Sequence, residues 1–218
     1  LYPAKNKPFT NYWKKWIDSR YCYTYRFSTC VSLFNQEAID MDLLQKMKGN
    51  GQSPPRVSLT EVLWSWVGSF LGIAAVSVIH YKILNQTDLM MIIGSFGASA
   101  VLIYGAIRSP LAQPRNLLGG HIISAIVGVT AFQLFGGNPW LAASFAVSTS
   151  IALMHLTKTL HPPGGATALI AVIGSDGIHS LGYLYVLIPV AIGASLMLLI
   201  ALFVNNIPKN RRYPEFWF

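Results

Sequence analysis

The chain has 218 residues, of which 53% are hydrophobic and only 11% are charged. Soluble domains carry about 25% charged residues, so this composition excludes an ordinary water-soluble protein and a disordered tail. The formal net charge is +8, but in so apolar a chain it does not indicate nucleic-acid binding, and we expect no nucleic-acid partner.

The chain begins with a basic and aromatic extramembrane arm, residues 1–57. Nine Lys and Arg residues minus four acids leave +5 there, and the rest of the chain carries the other +3. A turn-rich stretch at 49–55 ends the arm. Two interpretations remain open: the arm lies on the lipid headgroups, or it attaches the protein to other protein subunits.

The transmembrane domain is predicted at 58–206, where five apolar runs are long enough to cross a bilayer. A transmembrane helix needs about 20 such residues. The runs are 62–79, 89–107, 117–135, 139–157 and 181–204.

A sixth apolar run, 165–174, is too short to span. As a helix it would rise about 15 Å, half of the hydrocarbon thickness of about 30 Å. It is a buried loop, a short interfacial helix or a re-entrant half-helix enclosed by protein. The predicted fold class is therefore all-α: a polytopic transmembrane helix bundle with about five spans plus a short re-entrant or half-helix at 165–174.

The last segment, residues 207–218, is a basic and aromatic tail. Five crossings would place it opposite the loops that hold Arg108, Arg115 and Lys158, which contradicts the positive-inside rule. A sixth crossing through the short run would place all of these cations on one side. The sequence leaves both topologies open.

Two loops, 108–121 and 155–167, differ from simple connectors. Each contains basic residues, then proline, then a Gly-Gly pair, then a new apolar run, so we interpret them as a degenerate internal repeat of the kind found in transporters. A helix that starts after proline and glycine offers free N–H groups and the positive end of its dipole to an anion.

The cations of these loops have no acidic partner nearby, because no Asp or Glu occurs between residues 89 and 175. A small anion would suit such a site, although Arg and Lys at a membrane edge also simply reach towards headgroups. The candidate anion-binding or transport residues are Ser109, Gln113, Arg115, Gly119, Gly120, His121, Lys158, His161, Pro162, Pro163, Gly164, Gly165 and Thr167.

Two histidines, His121 and His155, lie within or at the ends of apolar runs. Each is a candidate for a proton relay, since histidine titrates near neutral pH, or is a neutral side chain bonded to a carbonyl. No nucleophile–base pair, P-loop or metal-ligand cluster occurs, and Cys22 and Cys30 lack zinc-site spacing. We therefore expect no catalytic residue, no metal, no other cofactor and no enzyme activity.

Two motifs carry a resemblance to a known family. They are HPPGGATAL at 161–169 and GSFGASAVLIYGAIRSPLAQPRNLLGGH at 94–121. They resemble the HPP family of integral membrane proteins, and the resemblance covers 58–206. The family is generally described as having four transmembrane helices, and some members in cyanobacteria and plastids act in nitrite transport.

The resemblance implies an integral membrane carrier or channel for a small inorganic anion such as nitrite. The alternative is a structural accessory subunit of a large mitochondrial inner-membrane or thylakoid complex, which keeps the transporter fold and attaches through the 1–57 arm. The expected partners are the lipid bilayer, the anion and other subunits. The expected location is an organellar inner membrane, mitochondrial or plastid.

Overall fold

The structure is a computed structural model that describes residues 47, 51, 53–84 and 91–218. The 1–57 arm lies almost wholly outside the described residues. One compact unit comprises Arg56–Phe218, and its described part is helical without a strand, as predicted. The membrane domain and the tail at 207–218 both belong to this unit.

The described part of this unit contains seven α-helices. In chain order they are α1 (Leu59–Val78), α2 (Gly94–Ala100), α3 (Pro114–Phe135), α4 (Pro139–Leu156), α5 (Pro162–Ile173), α6 (Asp176–Leu181) and α7 (Ile192–Val204). Wider π-helical turns extend α1 over Ile79–Ile83 and α2 over Val101–Gly105, and another precedes α7 over Val186–Ala191. A 3-10 turn at Pro110–Ala112 precedes α3.

Four of the predicted spans are long helices. With their π-helical turns, α1, α3, α4 and α7 contain 25, 22, 18 and 19 residues and are apolar enough to cross a membrane. The predicted run at 89–107 is different: Ile93 has an extended backbone, and the helix occupies only Gly94–Gly105. At 1.5 Å per residue it rises about 18 Å, so the prediction of a fifth long span was wrong.

The second short helix, α5, confirms the predicted half-helix at 165–174. It has 12 residues and therefore also rises about 18 Å. The order of elements is thus long, short, long in α1–α3 and again in α4, α5 and α7. The two short helices also share a four-residue pattern, Gly97-Ala98-Ser99-Ala100 in α2 and Gly165-Ala166-Thr167-Ala168 in α5. This match between helices differs from the repeat of loops 108–121 and 155–167 that the sequence suggested.

The C-terminal tail returns to the start of α1. Arg211 forms a 3.2 Å ion pair with Glu61 near the start of α1 and donates to the Tyr104 carbonyl at the end of α2. Asn205, which follows α7, donates to the Ile103 carbonyl at 2.8 Å. Within residues 53–84 and 91–218, the helices therefore pass between the two ends of the bundle six times, with the short helices providing two of the passages.

This topology places the basic loops and the tail at one end of the bundle. Arg108 donates to the Asn210 carbonyl at 3.5 Å. At the start of α3, the Asn116 side chain donates at 2.8 Å to the carbonyl of Leu160, two residues after Lys158. Of the two topologies, the described residues favour the one with a sixth passage, in which these cations share one end of the bundle as the positive-inside rule requires.

Candidate functional site

A cluster of polar side chains lies where the two short helices meet α3. Ser95 and Ser99 come from α2, His121 comes from α3, His161 directly precedes α5, and Thr167 comes from α5. All five are buried, with exposed fractions of 0–1%. We call them the polar cluster.

Hydrogen bonds connect the polar cluster into one chain. Ser99 Oγ lies 2.7 Å from His121 Nε2 and 2.9 Å from His161 Nε2. His121 Nδ1 lies 2.7 Å from Thr167 Oγ1, which donates to Ser95 Oγ at 2.9 Å. At the other end, His161 Nδ1 donates to the Leu111 carbonyl at 2.8 Å. The chain thus crosses from the turn before α3 to the start of α2.

Local sequence explains how His161 reaches this position. It is the residue before α5 and has an extended backbone (φ −141°, ψ 103°), and Pro162 begins the helix as prolines often do. The Ser109 hydroxyl accepts from the Leu111 N–H and caps the turn that presents the Leu111 carbonyl. A Cβ on Gly120 would lie 2.5 Å from the His161 Cβ, so only glycine admits the ring.

The surroundings of the polar cluster are apolar or neutral. The His121 and His161 ring centroids are 4.9 Å apart, and the Phe96 ring meets His121 edge-on at 5.5 Å. Tyr185 donates its hydroxyl to the Thr167 carbonyl at 3.1 Å. Imidazole and hydroxyl groups in a continuous chain can pass a proton along it, because each accepts one hydrogen and gives up another.

A separate basic cavity of about 470 Å³ opens at the end of the bundle that holds the tail. Arg108, Ser109, Glu61 and Arg211 are among its lining residues. Arg211 is 5% exposed; burial lowers its pKa, and neighbouring Glu61 opposes that shift. The cavity shares Ser109 with the turn that contacts His161.

Comparison with known proteins decides the family. The sequence profile of the HPP transmembrane region matches residues 54–214. The chain belongs to the HPP transmembrane family. It is 48% identical to one transmembrane protein of Dictyostelium discoideum over 176 aligned residues. The alignment covers 79% of this chain and 56% of the relative.

A second Dictyostelium discoideum transmembrane protein is 44% identical over 187 residues, 82% of this chain and 65% of the relative. The chain therefore spans less than two thirds of the length of either relative. No solved structure matches it. Membership confirms the family resemblance and the prediction of an integral membrane protein.

The HPP bundle brings three of the predicted site residues into the polar cluster: His121, His161 and Thr167. Of the two relay candidates, His155 is exposed at the end of α4 and lies outside the polar cluster. Lys158 is exposed in a left-handed backbone conformation (φ 57°).

Other predicted residues hold the loop before α3 together. Gln113 is fully buried; its Nε2 donates to the Ile107 and Ser109 carbonyls, and its Oε1 accepts from the Glu215 N–H at 2.9 Å. Arg115 is half-buried. Pro163 is buried, and Pro162 is exposed.

The glycines predicted to bind an anion lie against other parts of the protein. A Cβ added to Gly119 would lie 2.5 Å from the Thr159 side chain, and a Cβ added to Gly164 would lie 2.8 Å from the Gly120 carbonyl. At Gly165 the nearest atom is a Val147 methyl group, 3.9 Å away. In this HPP structure, Gly119, Gly120 and Gly164 therefore permit close helix packing.

Sequence reasoning missed Ser95, Ser99 and Tyr185. The stretch around Ser99 indicates by itself only small residues for helix packing. The signal that identifies it is the match between Ser99 and Thr167 in the two Gly-Ala-Ser/Thr-Ala patterns, one in each short helix. Only the fold shows that both hydroxyls bind His121.

Proposed function

We propose that this HPP protein is a membrane carrier or channel for a small inorganic anion such as nitrite, and not an enzyme. The observation that carries the proposal is the polar cluster, buried between two helices that are each too short to span. Broken or short helices that meet at a polar centre are a recurring design of secondary transporters. Ionisable side chains placed inside a membrane domain usually have a function of this kind.

Charge supports an anion as the transported species. The basic cavity is lined by Arg108, Arg211 and Glu61; Arg211 pairs with Glu61, so Arg108 leaves a net positive charge among these three side chains. Ser109 of its lining caps the turn whose Leu111 carbonyl accepts a hydrogen bond from His161. The resemblance to family members that act in nitrite transport supports nitrite as the anion to test first.

The test is nitrite uptake into liposomes that contain the purified full chain. We expect His161→Gln to reduce uptake to the level of protein-free liposomes, because the variant removes the imidazole that joins the Leu111 carbonyl to Ser99 within the polar cluster. The control is Ser150→Ala, since Ser150 is buried in α4 and its hydroxyl has no partner among the described residues. Unchanged uptake by the His161 variant, folded as judged by gel filtration, would contradict the proposal.

The second candidate is an accessory subunit of a large membrane complex. It is supported by the exposed aromatic side chains of the tail, Phe216, Trp217 and Phe218. Its test is the native mass after extraction in mild detergent. A mass of hundreds of kilodaltons that falls when residues 1–50 are deleted favours this candidate, whereas a mass of one to a few copies contradicts it.

A further inference from the structure

The hydrogen atoms of the polar cluster can be assigned from its two ends. A carbonyl oxygen cannot donate, so His161 Nδ1 carries a hydrogen and donates it to Leu111. Thr167 gives its single hydroxyl hydrogen to Ser95 at 2.9 Å or to the Pro163 carbonyl at 3.3 Å, so His121 Nδ1 also carries a hydrogen and donates it to Thr167. In neutral histidine only one ring nitrogen carries hydrogen, and both Nε2 atoms are then bare.

Both bare Nε2 atoms face one hydroxyl group. Ser99 Oγ lies 2.7 Å from His121 Nε2 and 2.9 Å from His161 Nε2. Serine has a single hydroxyl hydrogen, so it can donate to one ring only. The other short contact would set two lone pairs against each other, and one additional proton turns it into a hydrogen bond.

We propose that the polar cluster binds a single proton between His121 and His161, and that this proton enters together with the transported anion. The proton site rests on the two short contacts of Ser99 with His121 and His161. Its coupling to an anion rests on the proposed function.

Ser99 allows the proton to pass from one ring to the other. When His161 Nε2–H gives its proton to Ser99 Oγ, the original Ser99 O–H bond breaks and its hydrogen bonds to His121 Nε2. His161 becomes neutral, His121 becomes the cation and Ser99 is unchanged, so protons and charge balance. In a second, neutral state Ser95 donates to Thr167 and Thr167 donates to His121 Nδ1. His121 Nε2 then donates to Ser99, and Ser99 donates to His161 Nε2, so that all the contacts between cluster side chains are hydrogen bonds without the extra proton. The cluster therefore has two complete states that differ by one proton.

The surroundings explain why an anion would accompany the proton. Among the described residues, no carboxylate, lysine or arginine forms a hydrogen bond or ion pair with either histidine. The facing groups are the Ser95 and Ser99 hydroxyls and the Phe96 ring from α2, Thr167 from α5, and the titratable Tyr185, which bonds to the Thr167 carbonyl. A buried cation without a counter-ion is unfavourable, so a small anion and the proton stabilise each other.

The proton site is tested by 15N NMR of the full chain in detergent, with its five histidines labelled. The protonation of the imidazoles is followed as the pH is lowered, once with and once without sodium nitrite. We expect one imidazolium per protein shared by His121 and His161, with a proton affinity that nitrite raises about tenfold. Ser99→Ala should abolish this shift, and Ser150→Ala should keep it. His161→Gln, which removes one of the two rings, should also lose it, so the test does not depend on the folding of one variant.

Transport separates the two proposals. In liposomes with an internal pH dye, we expect nitrite entry to acidify the lumen in wild type and in Ser150→Ala but not in Ser99→Ala. If nitrite enters while both histidines stay neutral and the luminal pH is constant, the proton inference is overturned. If the histidine pair takes up its Ser99-dependent proton but nitrite neither enters nor shifts it, the proton site stands and the proposed function fails.

Discussion

At the residue scale, Tyr104 joins three helices. Its ring lies against Gly68 and Gly72 of α1, and its hydroxyl donates to the Met197 carbonyl of α7 at 3.0 Å. Small residues let helices approach closely where no hydrophobic force acts between them in lipid. The spacing of Gly68 and Gly72 is typical of helix packing, but it does not indicate that the Tyr104 ring fills the groove between them.

Gly72→Ala should destabilise the protein. The added Cβ would collide with the Tyr104 hydroxyl, and overpacking of this kind costs about 1–3 kcal/mol. The measurement is the thermal unfolding midpoint in detergent. The control is Gly97→Ala in α2, where the added Cβ would have no neighbour within 4 Å; equal midpoints for the two variants would contradict the predicted contact.

At the element scale, the contact between α3 and α5 positions the polar cluster. Gly128 of α3 lies against Ala168 and Ala171 of α5, so close that a Cβ would be 2.6 Å from the Ala168 carbonyl. The same contact brings Gly120 beside His161. The separation of these two helices therefore controls the distance between the two histidines.

The neighbouring glycines of the HPPGG motif should differ in their tolerance of alanine. A Cβ on Gly164 would lie 2.8 Å from the Gly120 carbonyl, whereas on Gly165 it would lie 3.9 Å from Val147. Gly164→Ala should separate α3 from α5, destabilise the protein by about 1–3 kcal/mol and reduce nitrite uptake. Gly165→Ala should retain both properties, and a reversed order in unfolding and uptake assays would contradict the close contact between α3 and α5.

At the scale of the whole molecule, the tail closes the bundle beside the start of α1. Besides the ion pair of Arg211, the Tyr213 hydroxyl donates to the Ala112 carbonyl at 2.7 Å, and burial raises the pKa of that hydroxyl. The first and last membrane helices are therefore held at one end, and the number of passages between the two ends is even.

This arrangement predicts sidedness. After Cys22 and Cys30 are replaced by serine, Ser58→Cys and Lys209→Cys should react with a membrane-impermeant maleimide from the same side of sealed vesicles, and Lys82→Cys should react from the opposite side. Detergent-opened vesicles serve as the control for total reactivity. Labelling of Lys209→Cys together with Lys82→Cys would instead support five passages.

Much of the fold and part of the site could be predicted from the sequence. Long uncharged runs identify the membrane helices because length and hydropathy are local properties, and the HPPGGATAL motif identifies the family. The false fifth span arose because apolar composition continues through 91–93, which precede the helix and end in the extended backbone of Ile93. Hydropathy does not distinguish a helix from an extended segment inside a protein.

The partners of His121 and His161 were decided by the tertiary structure. Ser99 is 22 positions from His121 and 62 from His161, and nothing in the local pattern joins them. In a membrane, lipid is as apolar as the protein interior, so the polarity of a helix face does not reveal what it packs against. The sequence alone therefore determined the environment of the helices and the places of the four long ones, whereas packing determined which buried groups share a hydrogen bond.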